Sequence, residues 1–416
     1  MKKGILYISL LATSLLWSQQ QISLNDCYNL VDINYPLAKQ ASLLEEKNTL
    51  ELEVIDKEKL PQLDFNAQAT YQSEVINIPI PNSDIEPPNK DQYRATLSLN
   101  QLIYAGGAID ANYKLKQASL NTQQKQVEVN LYQLKKQINQ IYFSILLIQE
   151  KDGLLNSKKE MLQAKLKEVK SGITNGMVLP TSDKIIEAEL LKIDQQFSEI
   201  NQSKKSLVNT LSLLISEDIS ELTTFQDPEI NVQLNSTITR PELELFQLKK
   251  DEVDSSEELV SRKNYPKLYG FATGGYGNPG LDPLDNSFQA FYTVGVKLNW
   301  SVFDWNSTKK QKQAISINKD IIDIEEETFS LNTQIELNQL ENDIQKYSDY
   351  IETDSKIIAL RNEVLKSAAS QLKNGVITSS AYITELTNLY EDENNRSTHN
   401  IQLQLIKANY NITKGI

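Results

Sequence analysis

The sequence predicts a mainly helical fold with an internal duplication and two pairs of half-apolar strands. Three observations carry that expectation. The stretch LDFNAQATYQ, Leu63 to Gln72, alternates apolar and polar residues without a break. Segments of the first half recur about two hundred residues later: Pro36 (INYPLAKQ) and Pro241 (ITRPELEL) are 205 residues apart, as are Pro61 and Pro266. After each strand pair, apolar residues recur in alternating steps of four and three over many turns, the spacing of a coiled-coil seam.

Taken in order, the chain opens with Lys2 and Lys3, an apolar run from Gly4 to Trp17, and Ser18. This is the layout of a secretory leader, residues 1–18, with the mature chain starting near Gln19. A membrane anchor, the other reading of such a run, needs ~20 apolar residues, more than are present. A first repeat then spans 19–215: a helix, a strand pair at 61–73 and 91–104, a long helix at 105–171, a hairpin tip and a return helix. Residues 216–239 link it to a second repeat at 240–416, with a helix, a strand pair at 266–277 and 288–303, a long helix at 304–373, a tip and a return helix. Later echoes are 199 apart, Asn100 with Asn299 and Gly176 with Gly375, so the repeats differ in length within the loops joining their strands.

Successive strand side chains point to opposite sides. Leu63, Phe65, Ala67, Ala69 and Tyr71 therefore share one face, and Asp64, Asn66, Gln68 and Thr70 the other. In the second strand Tyr93, Ala95, Leu97 and Leu99 oppose Arg94, Thr96, Ser98 and Asn100. In the fourth, Ala290, Tyr292, Val294, Val296, Leu298 and Trp300 oppose Gln289, Thr293, Lys297 and Asn299. The third, Lys267 to Gly277, is glycine-rich and its alternation is blurred. Four such strands cannot close a transmembrane barrel alone, since ~8 is the smallest bacterial case, whereas several chains can share one. Ribbons half-buried on a soluble core are the alternative.

The first seam runs through Val127, Leu131, Leu134, Ile138, Ile141, Ile145, Ile148, Leu155, Leu162, Leu166 and Val169, with Asp152 and Lys159 as polar members. The second includes Leu337, Leu340, Ile344, Ile351, Ile358, Leu365 and Leu372, with Asp354 and Arg361 as its polar members. The polar positions interleave between the copies, which is consistent with two copies lying side by side. Thr181 or Ser182, and Ser379 or Ser380, suit the N-caps of the return helices.

Composition excludes several functions. Of 416 residues, 42 are Lys or Arg and 55 Asp or Glu, a net charge of −13 that argues against nucleic-acid binding. The single Cys27 forbids an intramolecular disulfide, and the polar Asn25 and Asp26 before it do not suit lipid attachment. One histidine, one cysteine and three methionines leave neither a catalytic base with its partners nor a ladder of soft metal ligands.

The combination of LPQL before the first strand, LNQLIYAGG ending the second, ITRPEL opening the second copy and the two glycine-marked tips resembles the TolC-like outer-membrane efflux protein family over nearly the whole mature chain. The resemblance implies a long coiled-coil α-helical barrel plus four transmembrane strands per chain, twelve in a homotrimer. It further implies a channel for efflux or type I secretion with no catalysis and no cofactor. The chain would span outer-membrane lipid and dock a periplasmic adaptor that connects it to an inner-membrane pump. Asp64, Asn66, Gln68, Arg94 and Lys297 would line the barrel lumen. Gly172, Gly176, Thr181, Asn374, Gly375 and Ser380 would mark the adaptor-docking tips. Family members carry paired aspartates six and nine residues past the second tip glycine. Those positions here are Ala381 and Thr384, so entrance charge would fall to Asp183 or Glu385. A surface or periplasmic coiled-coil adaptor would use the seams and leave the duplicated strand pairs without a role.

Overall fold

The computed structural model describes residues 21–76, 87–220, 223–233 and 236–416. The leader at 1–18 and most of the loop between the first two strands lie outside them. In chain order the elements are β1 (Gln21–Ile22), α1 (Leu24–Asn34), α2 (Ala38–Lys57), β2 (Gln62–Tyr71), β3 (Asp91–Tyr104), α3 (Ala108–Thr174), α4 (Ser182–Ile215) and β4 (Thr224–Phe225). They continue with α5 (Pro241–Arg262), β5 (Lys267–Asn278), β6 (Gln289–Asn299), α6 (Ser307–Lys373) and α7 (Ser379–Lys414). The succession helix, two strands, 67-residue helix, return helix thus occurs twice. Two compact units divide the chain, one made of residues 1–38, 130–240 and 332–416 and the other of 39–129 and 241–331.

The second unit holds a four-stranded antiparallel sheet in the order β2-β3-β5-β6. Register places residues of equal face in rows, among them Asn66, Thr96, Gly275 and Phe291, and Leu63, Leu99, Ala272 and Val294. Among the described residues β2 and β6 each pair on one side only, so the sheet has two open edges. The helices of this unit are cross-linked in the same order as the strands. Lys116 of α3 meets Glu51 of α2 at 2.9 Å, Lys125 of α3 meets Glu244 of α5 at 2.6 Å, and Lys250 of α5 meets Asp323 of α6 at 2.6 Å. The extended reading of 300–303 ends earlier in the structure, because the chain turns a corner into α6 with Trp305 and Asn306 at φ 55° and 61°. In the first copy the matching corner is made by Gly106 and Gly107, at φ 63° and 79°.

The first unit is helical apart from the parallel pair β1-β4. Its tip-side core joins Leu155, Leu162 and Val169 of α3 and Ile186 and Ile193 of α4 to Ile358, Leu365 and Leu372 of α6 and Tyr382, Leu386 and Leu389 of α7. The two copies therefore pack against one another. Farther along the same unit, fully buried Tyr142 holds the β1-β4 pair, its hydroxyl 2.9 Å from the Ile22 carbonyl and 2.7 Å from that of Gln226. The short helix α1, absent from the sequence reading, starts at a capping box in which Ser23 and Asp26 bond each other's backbone.

Candidate transport surfaces

In the sheet, Asp64, Asn66, Gln68, Arg94 and Lys297 all fall on one face. Strand register links Asp64 to Ser98, Asn66 to Thr96 and Gln68 to Arg94, and carries the face through Thr273, Gly275 and Gly277 to Thr293, Phe291 and Gln289. Ser98 and Thr273 hydroxyls lie 3.2 Å apart across strands. The opposite face is apolar and not covered by any of the described residues, with Phe65, Leu97, Tyr292, Val294 and Val296 all exposed. No helix among the described residues is long and apolar enough to cross a membrane. The strands have suitable lengths, 10 residues in β2 and 11 in β6, against the ~9–11 needed by a tilted spanning strand.

Arg94 occupies its face differently from its neighbours. Its guanidinium donates to the carbonyls of Pro279 at 3.4 Å and Gly280 at 3.3 Å and lies 5.7 Å from the centre of the Phe291 ring. It staples the β5-β6 loop to the sheet. The sequence reading missed Tyr269, Phe271 and Phe291 on this polar face. Their signal was masked by glycine: Phe291 lies flat over Gly275 and Phe271 over Gly295, where an added β-carbon would approach the rings to 2.4 Å and 2.8 Å respectively.

At the first tip Gly176 has φ 71°, and Gly172, still within α3, accepts from the Met177 amide at 2.8 Å. A β-carbon on Gly172 would lie 2.6 Å from Val178, so the turn folds back against it. Thr181 stands at the N-cap of α4 in a left-handed conformation, φ 74°, and its side chain makes no capping bond. At the second tip Asn374 precedes Gly375, φ 70°, and the N-cap is Thr378, whose hydroxyl accepts from the Ala381 amide at 3.2 Å. Ser379 and Ser380 thus lie inside α7, and neither serves as its cap. The tips touch: a β-carbon on Gly375 would sit 3.0 Å from the Met177 carbonyl.

Thr181, Lys184 and Glu189 of the first tip and its helix line a polar groove of about 740 Å³ with Ser380, Thr384 and Asn388 of the second. Ala381 is exposed beside it. The two nearby carboxylates are both engaged by cations. Glu385 lies 3.6 Å from Arg361, and Asp183 lies 3.5 Å from Lys184.

Three of the four polar seam residues find partners across their hairpins, and Asp152 is exposed. Lys159 meets Asp194 at 2.7 Å, Arg361 meets Asp392 at 2.9 Å, and His399 Nδ1 lies 2.7 Å from Asp354. The most deeply placed cation was not among them. Lys158 of α3 is 4% exposed, 3.0 Å from Glu189 of α4, with its ammonium 5.0 Å from the centre of the Tyr390 ring of α7. Lys165, one heptad on, stands likewise over Tyr382 at 5.1 Å. Lysine stems fill the seam while their charges are held by a carboxylate and aromatic faces.

No curated protein sequence matches the chain. The profile of the family described as outer membrane efflux protein matches residues 36–216. Among solved structures, CusC, described by conformational changes accompanying folding and transmembrane channel formation, is 12% identical with TM-score 0.70 over 94% of this chain and 91% of its own. The Campylobacter jejuni CmeC outer membrane channel is 14% identical, TM-score 0.66, over 94% and 85%. The outer membrane protein VceC of Vibrio cholerae is 14% identical, TM-score 0.66, over 94% of each. At these identities the likeness concerns the fold. Residues 36–216 thus match the outer membrane efflux protein family, and 94% of the chain shares the fold of these outer-membrane channels.

Proposed function

We propose that three copies of this chain form an outer-membrane channel, the exit duct of a tripartite pump that passes solutes from periplasm to exterior without chemistry of its own. The observation that carries this is the sheet β2-β3-β5-β6, with one exposed apolar face and two open edges. Its strands alternate in direction, so β6 of one copy meets β2 of the next antiparallel, and cyclic repetition closes a barrel with every backbone group paired. Two copies would give the ~8 strands of the narrowest barrels, and three give twelve, with room for a lumen.

Helix surfaces support the same arrangement. Leu43, Leu50 and Val54 of α2 and Ile317, Ile321 and Ile324 of α6 are exposed apolar stripes on the two helices at the ends of the ion-paired series. Each needs a partner that a neighbouring copy supplies. Asp64, Asn66, Gln68 and Lys297 then line the lumen, with Arg94 bracing its outer loop. The tips, with Gly172, Gly176, Thr181, Asn374, Gly375 and Ser380, form the surface offered to an adaptor. Entrance charge at Asp183 and Glu385 is tempered by Lys184 and Arg361, so no acidic ring of the family pattern forms at Ala381 and Thr384.

The test is conductance of the detergent-extracted protein in a planar lipid bilayer, with oligomer mass measured in parallel. Discrete steps from a trimer are expected. A monomer that neither inserts nor conducts overturns the proposal.

A further inference from the structure

The two sheet-to-helix corners have the same backbone and opposite chemistry. Gly106 and Gly107 turn the first; the residues 199 positions later, Trp305 and Asn306, turn the second, all with positive φ. Glycine takes this conformation at no steric cost and asparagine tolerates it, whereas a bulky side chain there is an outlier. The corner is held from beneath. Asp304 accepts from the Thr308 amide at 2.9 Å and from Asn264 Nδ2 at 2.7 Å, and Asn264 Nδ2 also lies 2.6 Å from the Thr308 hydroxyl. Strain that the surroundings maintain in this way calls for a use of the side chain it positions.

None of the described residues covers that side chain. Trp305 is 84% exposed, edge-on to Phe303 at 4.8 Å, and Val302 and Phe303 are 73% and 69% exposed. Trp300 leads into them by continuing the apolar face of Val294, Val296 and Leu298. One turn into α6, Lys309 and Lys310 are exposed and form no ion pair among the described residues, as is true of Lys263 at the adjoining α5-β5 corner. The far end of the sheet is more acidic, with Glu74, Asp91, Asp282 and Asp285 beside the single Lys90. Indole rings settle at the headgroup level of a bilayer, and ammonium groups just beyond them meet phosphates.

We propose that residues 300–310 are a docking surface for anionic phospholipid, with Phe303 and Trp305 in the headgroup layer and Lys309 and Lys310 against the phosphates. The inference rests on the membrane reading above and adds which lipid charge the helix-side rim selects. A polypeptide partner fits less well, because the patch is continuous with a sheet face that has lipid chemistry along its whole length.

The test uses the full-length protein in vesicles of phosphatidylcholine with or without phosphatidylglycerol, carrying a fluorescence quencher at the headgroup or deep in the acyl region. Trp17→Phe with Trp300→Phe isolates Trp305, and Trp17→Phe with Trp305→Phe isolates Trp300; oligomer mass and circular dichroism verify assembly. Trp305 is expected to be quenched by the headgroup label and more strongly with phosphatidylglycerol, and Lys309→Gln with Lys310→Gln abolishes the increase. Trp300 is expected to respond to the deeper label in both lipids. Quenching of Trp300 without Trp305 overturns the docking surface and leaves the membrane sheet standing. Equal quenching of Trp305 in both lipids overturns the anionic selection, and quenching of neither tryptophan overturns the membrane reading itself.

Discussion

Replacing Lys158 by alanine is expected to loosen the tip-side helices from within. The ammonium links three helices, 3.0 Å from Glu189 of α4 and over the Tyr390 ring of α7, while its stem fills a seam position of α3. Truncation strands the Glu189 carboxylate in a setting where it is mostly covered. Breaking a buried pair from one side costs ~3–5 kcal/mol. Lys192, 3.3 Å from the other carboxylate oxygen, continues to neutralise Glu189 and places the loss near the lower bound, about 3 kcal/mol. Hydrogen exchange on the intact assembly reads this locally. Amides from Leu155 to Leu162 and from Ile186 to Ile193 should exchange on the order of a hundredfold faster, since ~1.4 kcal/mol corresponds to a factor of ten. Lys158→Met combined with Glu189→Leu removes both charges and keeps the volume, and such replacements are neutral or stabilising by ~1–4 kcal/mol, so protection should return. Wild-type exchange in the single variant, or a double variant no better protected than the single, would refute the reasoning.

Other outcomes follow from the same geometry. Gly275→Ala drives a β-carbon into the Phe291 ring and should cost ~1–3 kcal/mol, measured as a lowered melting temperature of the assembly, with Phe291→Ala in the same chain restoring much of it. Tyr142→Phe leaves the Gln226 carbonyl without its hydroxyl donor, while that of Ile22 keeps the Gln226 amide at 3.2 Å, and should cost ~1–3 kcal/mol in denaturant unfolding. Hydrogen bonds from Lys170 and Lys184 hold the Glu187 carboxyl down to about 2. A depressed carboxylate contributes stability above its ordinary value of 4.5, lost as pH falls from there toward 2. Proteolysis of the first tip should therefore quicken over that window and be pH-independent in Glu187→Gln.

The sequence made legible whatever repeats with a fixed period and one chemistry per face. β2 shows this best, because each of its polar residues faces the same way and nothing interrupts the alternation. On β5 the signal failed because glycines replace the side chains that would have marked the faces, and rings from the neighbouring strand occupy their place. Lys158 escaped notice because Lys159 beside it fits a simple apolar heptad equally well, and only packing decides which lysine points inward. Of the two return helices, α4 has Thr181 as its N-cap as residue type suggests, whereas α7 is capped one residue before Ser379. Ser379 and Ser380 are good caps by type, but Thr378 captures the Ala381 amide first. Arg94 was placed on the correct face, yet its role as a brace depended on the path of a loop that sequence does not specify.

The open edges of the sheet carry a consequence for the life of the chain before it reaches its working form. A lone copy presents two rows of unpaired amides and carbonyls beside an uncovered apolar face, the template on which strands of unrelated chains stack. Such a molecule cannot wait safely in water, nor can it enter a bilayer singly without stranding those groups in hydrocarbon. In the proposed trimer, encounter with like copies and insertion would then proceed together, so the yield of finished protein should rise more steeply than linearly with the rate of synthesis.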